Sequence, residues 1–151
     1  AYSSNAGMAI SQFRVAEPDT PVDWGRVTDD IHECLHGHLA IDARIAERAR
    51  VYRRRAALAA KPVETSVIFD IESATDATII EVRTEDHIGV LYHLTRTLAE
   101  MGLDIRSAKI QTISNEIVDT FYVTSSDGPT LGDLHRREIE AALRHSLMRV
   151  G

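Results

Sequence analysis

The sequence predicts an α+β fold, an antiparallel sheet with helices on one face, and three patterns predict it. The run Thr78-Ile79-Ile80-Glu81-Val82-Arg83 is an apolar strand that passes through a short turn into a helix carrying Leu91, Leu94, Leu98 and Met101 at intervals of three and four. Two further runs, 104–112 and 117–124, are separated only by Ser114-Asn115-Glu116, the mark of a tight hairpin. Laying the chain over itself so that Ile10 meets Val118 then aligns Phe13 with Phe121, Val15 with Val123, Ile31 with Ile139, Leu35 with Leu143 and Leu39 with Leu147, without a gap.

In order, the carboxy-terminal part reads strand 78–84, helix 88–101, strand 104–112, strand 117–124 and helix 131–147, with Gly102 stopping the first helix. This β-α-β-β-α order lacks only a closing strand to be the split βαβ, ferredoxin-like arrangement βαββαβ. The segment Ser66-Val67-Ile68-Phe69-Asp70-Ile71 closes either this sheet, from its amino-terminal side, or an earlier one. In the amino-terminal copy the same reasoning gives strand 8–15 and helix 23–39, with Pro18 and Pro21 as breakers. The first copy lacks its own leading strand, turn, helix and strand, and the chain opens with alanine inside a strand. A piece of a longer chain is therefore expected.

Residues 40–61 join the copies and should be helical, rich in Ala40, Ala43, Ala46 and Ala49 and in Arg44, Arg48, Arg50, Arg53, Arg54 and Arg55. Asp42 and Glu47 interrupt the arginines, so a solvated helix face explains them better than a phosphate site. The expected domains are 1–39, half of a first unit, 40–62, a helical linker, and 63–151, a complete second unit.

Composition narrows the function. The chain of 151 residues is 44% hydrophobic, and its net charge of −6 argues against binding nucleic acid or an anionic membrane. Its single cysteine, Cys34, excludes an internal disulfide and points to a cytoplasmic setting. No apolar run approaches the roughly 20 residues that span a bilayer.

The turn Thr84-Glu85-Asp86-His87-Ile88-Gly89-Val90-Leu91 is where a ligand is expected. Asp86 is a good helix cap, and Gly89 would let a ligand approach the N–H groups of the helix start, which favour a carboxylate. By contrast, His32-Glu33-Cys34-Leu35-His36 matches the H-E-x-x-H zinc pattern, but no third ligand follows at a fixed spacing. In the self-alignment those positions meet Glu140, Ala141, Ala142, Leu143 and Arg144, as surface histidines on an amphipathic helix would. There is no nucleophile elbow, P-loop or dinucleotide-binding turn, so the chain itself is expected to be non-catalytic and to bind no metal.

Asp86-His87-Ile88-Gly89-Val90-Leu91 resembles the D-R-P-G-L-L turn of ACT domains, the small-molecule sensing modules of amino-acid metabolism. With Val67-Ile68-Phe69-Asp70, Thr78 to Val82, Gly102 to Ile110 and Val118 to Thr124, the chain is similar to the carboxy-terminal tandem ACT region of bifunctional PII uridylyltransferase/uridylyl-removing enzymes. His87 and Ile88 replace the family's arginine and proline. The resemblance implies a glutamine sensor of nitrogen status that acts allosterically on a parent nucleotidyltransferase, which modifies the PII signalling protein and uses Mg2+. Neither catalytic domain of that parent is in this chain, and no cofactor is implied for it. The ligand would meet Asp86 and the backbone of Ile88, Gly89 and Val90, with polar contacts from Thr84 and Asp104. Asp86 would accept from the α-ammonium while the helix start holds the α-carboxylate. The resemblance also admits a homodimer through the ACT domains, and the alternatives are an assembly or dimerisation module without ligand and an amino-acid-binding regulator of another metabolic enzyme.

Overall fold

The computed structural model describes residues 2–3, 9–10, 15, 18, 20–56 and 63–148, with the backbone alone for 2–3, 9–10 and 52–56. Its elements are β1 (Tyr2–Ser3), β2 (Ala9–Ile10), α1 (Trp24–Leu35), α2 (Ile41–Ala56), β3 (Ser66–Asp70), β4 (Thr78–Glu85), α3 (Val90–Glu100), β5 (Leu103–Lys109), β6 (Thr112–Ile113), β7 (Glu116–Ser125) and α4 (Asp133–Met148). They form two compact units, one of residues 12–57 and one of residues 1–11 with 58–151. Among the described residues no helix is long and apolar enough to cross a membrane.

In the larger unit the sheet order is β3-β4-β7-β5, with β6 also pairing β7, and every pairing is antiparallel. This is the ferredoxin-like order, with one change in connectivity. The edge place beside the first strand, which the last strand of βαββαβ would take, is filled by β3 from the amino-terminal side. Its register runs from Ser66 opposite Arg83 to Asp70 opposite Ile79, so the segment of open assignment closes this sheet.

Period-two alternation gives the sheet one buried face. Thr78, Ile80, Val82 and Thr84 of β4 and Ile117, Asp119, Phe121 and Val123 of β7 point into it. The two helices α3 and α4 pack on one another. Leu94 and Leu98 of α3 and Ile139, Leu143 and Leu147 of α4 join the sheet residues in a single core. The apolar face of α3 is rotated from the expected one. Val90, Leu94, Thr97 and Leu98 form the buried face, and Leu91 lies at its border, 38% exposed.

The expected strand 104–112 is divided. A bulge between Ile105 and Ser107 shifts the register of β5, and the chain re-pairs as β6 after a break at Ile110 and Gln111. The hairpin that follows is tight as predicted, with Ile113 opposite Glu116 and Ser114 in the left-handed region at φ 61°.

In the smaller unit, α1 stops at Leu35 instead of reaching Leu39. Gly37 adopts φ 74°, and the N–H groups of Gly37 and His38 turn back to the carbonyls of Cys34 and Glu33. An ion pair between Arg44 and Asp30, at 3.0 Å, ties α2 to α1. Of the expected strand 8–15, Ala9 and Ile10, which belong to the larger unit, are in a strand, Val15 is in no regular element, and the rest lies outside the described residues. The side chains of Arg53, Arg54 and Arg55 also lie outside the described residues.

Candidate functional site

The expected ligand turn joins the end of β4 to α3, and its geometry differs from the expectation at its first residue. Asp86 does not cap the helix. The cap position is Gly89, at φ 97° and ψ −4°, and no side chain bonds the helix start. The turn closes through the backbone, with Val90 N–H donating to His87 C=O at 3.2 Å and Asp86 N–H donating to Asn115 C=O at 2.8 Å. Asp86 thus belongs to the strand end and is fastened to the β6–β7 hairpin. Gly89 is needed for its left-handed backbone, which a β-carbon would strain. The Val90 N–H is already used within the turn, whereas helix geometry leaves Leu91 and Tyr92 N–H without carbonyls one turn earlier in the helix.

The other expected contacts separate into two groups. Thr84 is at the same end as the turn and buried, its hydroxyl 2.9 Å from that of Thr65. Ile88, within the turn, is exposed. Asp104 is at the other end of the sheet. It stands opposite Thr124 at the start of β5, level with the start of β4, while the turn follows Glu85 at the end of β4. The seven steps from Thr78 to Glu85 span about 23 Å. The error has a topological cause: β4 and β5 run parallel with α3 between them, so their starts share one end and the turn lies at the other. Asp104 instead pairs with Arg106 at 3.2 Å.

Sequence reasoning passed over the buried acid at this end. Asp119 lies on the core face of β7, fully buried, opposite Val82. Its Oδ1 accepts from the Gln111 N–H at 3.3 Å, and its Oδ2 has no partner among the described residues. Burial pushes its carboxyl up to about 6; the Gln111 N–H pulls it down, and the charge of Asp86 adds to the rise. The signal was in the sequence: in Ile117, Asp119, Phe121 and Val123, which share a face at period two, one position is charged.

This turn, entered from a central strand and left through a left-handed glycine, lies within the span recognised by one family. The ACT domain family matches residues 78–131. Residues 78–131 of this chain are an ACT domain. The matched span covers β4 to β7 with α3, and the structure adds β3 and α4 to complete the ACT fold around it. Over 97% of its length the chain is 33% identical to a bifunctional uridylyltransferase/uridylyl-removing enzyme of Cereibacter sphaeroides. It is 35% identical over 81% of its length to the enzyme of that name from Streptomyces coelicolor, and 31% identical over 89% to that of Caulobacter vibrioides. The chain spans 16%, 14% and 15% of those relatives. No solved structure matches it.

Two side chains of the zinc-like pattern have partners other than a metal. His36 Nδ1 lies 2.7 Å from the His32 carbonyl, and Glu33 meets His38 at 3.0 Å. No three histidine, cysteine or acidic side chains gather to hold a metal among the described residues.

Proposed function

We propose that this chain is the glutamine-sensing regulatory region of a PII uridylyltransferase/uridylyl-removing enzyme, acting in the cytoplasm to control nitrogen assimilation. The observation that carries the reading is the turn 86–89 of an ACT domain. It offers a helix start to a carboxylate and, with Asp86 close enough for its charge to act on the buried Asp119, negative charge to an ammonium. Within this reading residues 1–39 are the second half of a first ACT unit, joined by 40–62 to the unit of 63–151. Ligand held between ACT units favours one arrangement of the pair. By linkage it biases catalytic domains elsewhere in the parent between nucleotidyl transfer to PII and its removal, with Mg2+ serving those domains.

A second reading, assembly without ligand, draws on Ile68. It is 53% exposed in β3, which is an edge strand among the described residues, and an edge strand can pair with another chain.

Calorimetric titration with glutamine, with glutamate, serine and phenylalanine as controls, separates the two readings. Saturable glutamine binding by the folded chain supports sensing, and its loss in folded Asp86→Ala and Gly89→Val variants would put the ligand at the turn. Self-association by ultracentrifugation, with no heat from any amino acid, supports assembly.

A further inference from the structure

Beside the turn a cavity of about 350 Å³ opens where the end of β4, the start of β3 and the last turns of α4 meet. Thr65, Thr84, Glu85, His87, Arg144 and Leu147 are in its lining. Groups of opposite charge share this one space. The Arg144 guanidinium is held by two bonds, Nε to Glu140 at 2.9 Å and Nη1 to the Thr65 carbonyl at 2.9 Å, which fix its plane and leave donors unspent. Glu85 is 3.7 Å from His87 Nε2, beyond hydrogen-bond length, so its carboxylate keeps its acceptor capacity. The hydroxyls of Thr65 and Thr84 bond each other at 2.9 Å. That contact uses one of their two protons and leaves one donor and spare lone pairs.

We propose that this cavity is the seat of a free α-amino acid with a carboxamide side chain: Arg144 takes the α-carboxylate, Glu85 takes the α-ammonium, and the Thr65–Thr84 hydroxyl pair reads the amide. A guanidinium and a carboxylate in one cavity match a zwitterion and reject a simple anion or cation. The hydroxyl pair needs a partner that both donates and accepts, which a carboxamide does and an aliphatic chain does not. The volume, about ten times a water's share of the liquid, holds the roughly ten non-hydrogen atoms of glutamine. The proposal rests on the sensing reading for its ligand class but moves the ligand from the outside of the turn to the cavity behind it. Thr65 immediately precedes β3, so a ligand bridging Thr65, Glu85 and Arg144 ties the start of that edge strand to the end of β4 and to α4.

The test is calorimetry of the 151-residue chain with glutamine, asparagine, leucine and serine, with amide chemical shifts followed in parallel. Variants are Glu85→Gln, Arg144→Met and Thr65→Val. Glu85→Gln is nearly isosteric at a part-exposed site and keeps the test valid if Arg144→Met disturbs α4. The expected result is saturable glutamine binding that moves the amides of Thr65, Thr84 and Arg144. It weakens about tenfold or more in Glu85→Gln and Arg144→Met, and Thr65→Val loses the preference for glutamine over leucine. Glutamine binding that stays within about twofold in Glu85→Gln, with shifts confined to 86–92, overturns the cavity and leaves the sensing reading standing. Asparagine bound with the same variant losses, and glutamine not bound, supports the cavity and removes glutamine from the sensing reading. No binding of any amino acid by the folded chain overturns both.

Discussion

Asp119 accepts a hydrogen bond from the backbone N–H of Gln111 at 3.3 Å through one carboxylate oxygen, and its other oxygen is buried without a partner among the described residues. An ordinary aspartate titrates at 3.8, and burial moves this one to about 6. The folded chain therefore holds this proton more tightly than the unfolded chain. The stability linked to it is complete below 3.8 and lost as pH rises to about 6. At about 1.4 kcal/mol per unit, the loss has a ceiling of about 3 kcal/mol. Denaturant midpoints measured across this window should fall in the wild type and lose that fall in Asp119→Asn. Parallel pH profiles for the two chains would refute the burial account.

Thr78 ties the start of β4 to the approach to α4. Its hydroxyl donates to the Pro129 carbonyl at 2.9 Å and accepts from the Leu131 N–H at 3.1 Å, all beside a buried Leu131. Thr78→Val keeps the shape and removes both bonds, leaving a donor and an acceptor unsatisfied at a dry site. The expected cost is about 1–3 kcal/mol by equilibrium unfolding, with Thr78→Ser losing less because it retains the hydroxyl. Equal stability of Thr78→Val and wild type would mean that water replaces both contacts.

Elements of the larger unit were legible because their patterns are local. Alternation along β7 and the spacing of Leu94 and Leu98 state which face is buried before any fold is known. Three features were not legible, each for a physical reason. The place of β3 depends on pairing across the sheet, to which the order of elements along the chain gives no weight. The first turn of α3 is set by the left-handed backbone at Gly89, so the acid three residues earlier, a plausible cap by composition, is fastened elsewhere. The wrong end assigned to Asp104 follows from reading nearness in sequence as nearness in space across a crossover helix. Arg144 belongs to the same class: only the return of α4 over β3 brings it to Thr65, 79 residues away.

The two glycines that bound α3 offer a graded test of backbone strain. Gly102 has φ 74° and nothing within 4 Å of an added β-carbon, so Gly102→Ala should cost only the left-handed penalty, about 1 kcal/mol. Gly89, at φ 97° and ψ −4°, lies farther from the region other residues tolerate, so Gly89→Ala should cost more. Gly102→Asn should recover part of its loss, since asparagine visits this region readily. Equal losses at the two positions in urea unfolding would contradict the strain ordering.

The self-alignment of the chain makes a prediction that differs between its two halves. Leu143 is fully buried under the sheet, and its counterpart Leu35 is 78% exposed; Ile139 is fully buried, and its counterpart Ile31 is 54% exposed. Leu143→Ala should cost about 2–5 kcal/mol, for lost transfer energy and the cavity left behind. Leu35→Ala in this chain should stay within about 0.5 kcal/mol, since nothing is packed there to be lost. If α1 is the last helix of a first ACT unit, a longer chain that supplies the strands of that unit buries the same face. Leu35→Ala should then become costly, approaching Leu143→Ala. The comparison uses one substitution in two chain lengths, so surface effects of the alanine cancel. A Leu35→Ala cost that stays small in the longer chain would show that α1 is not the counterpart of α4, whatever the alignment of their residues.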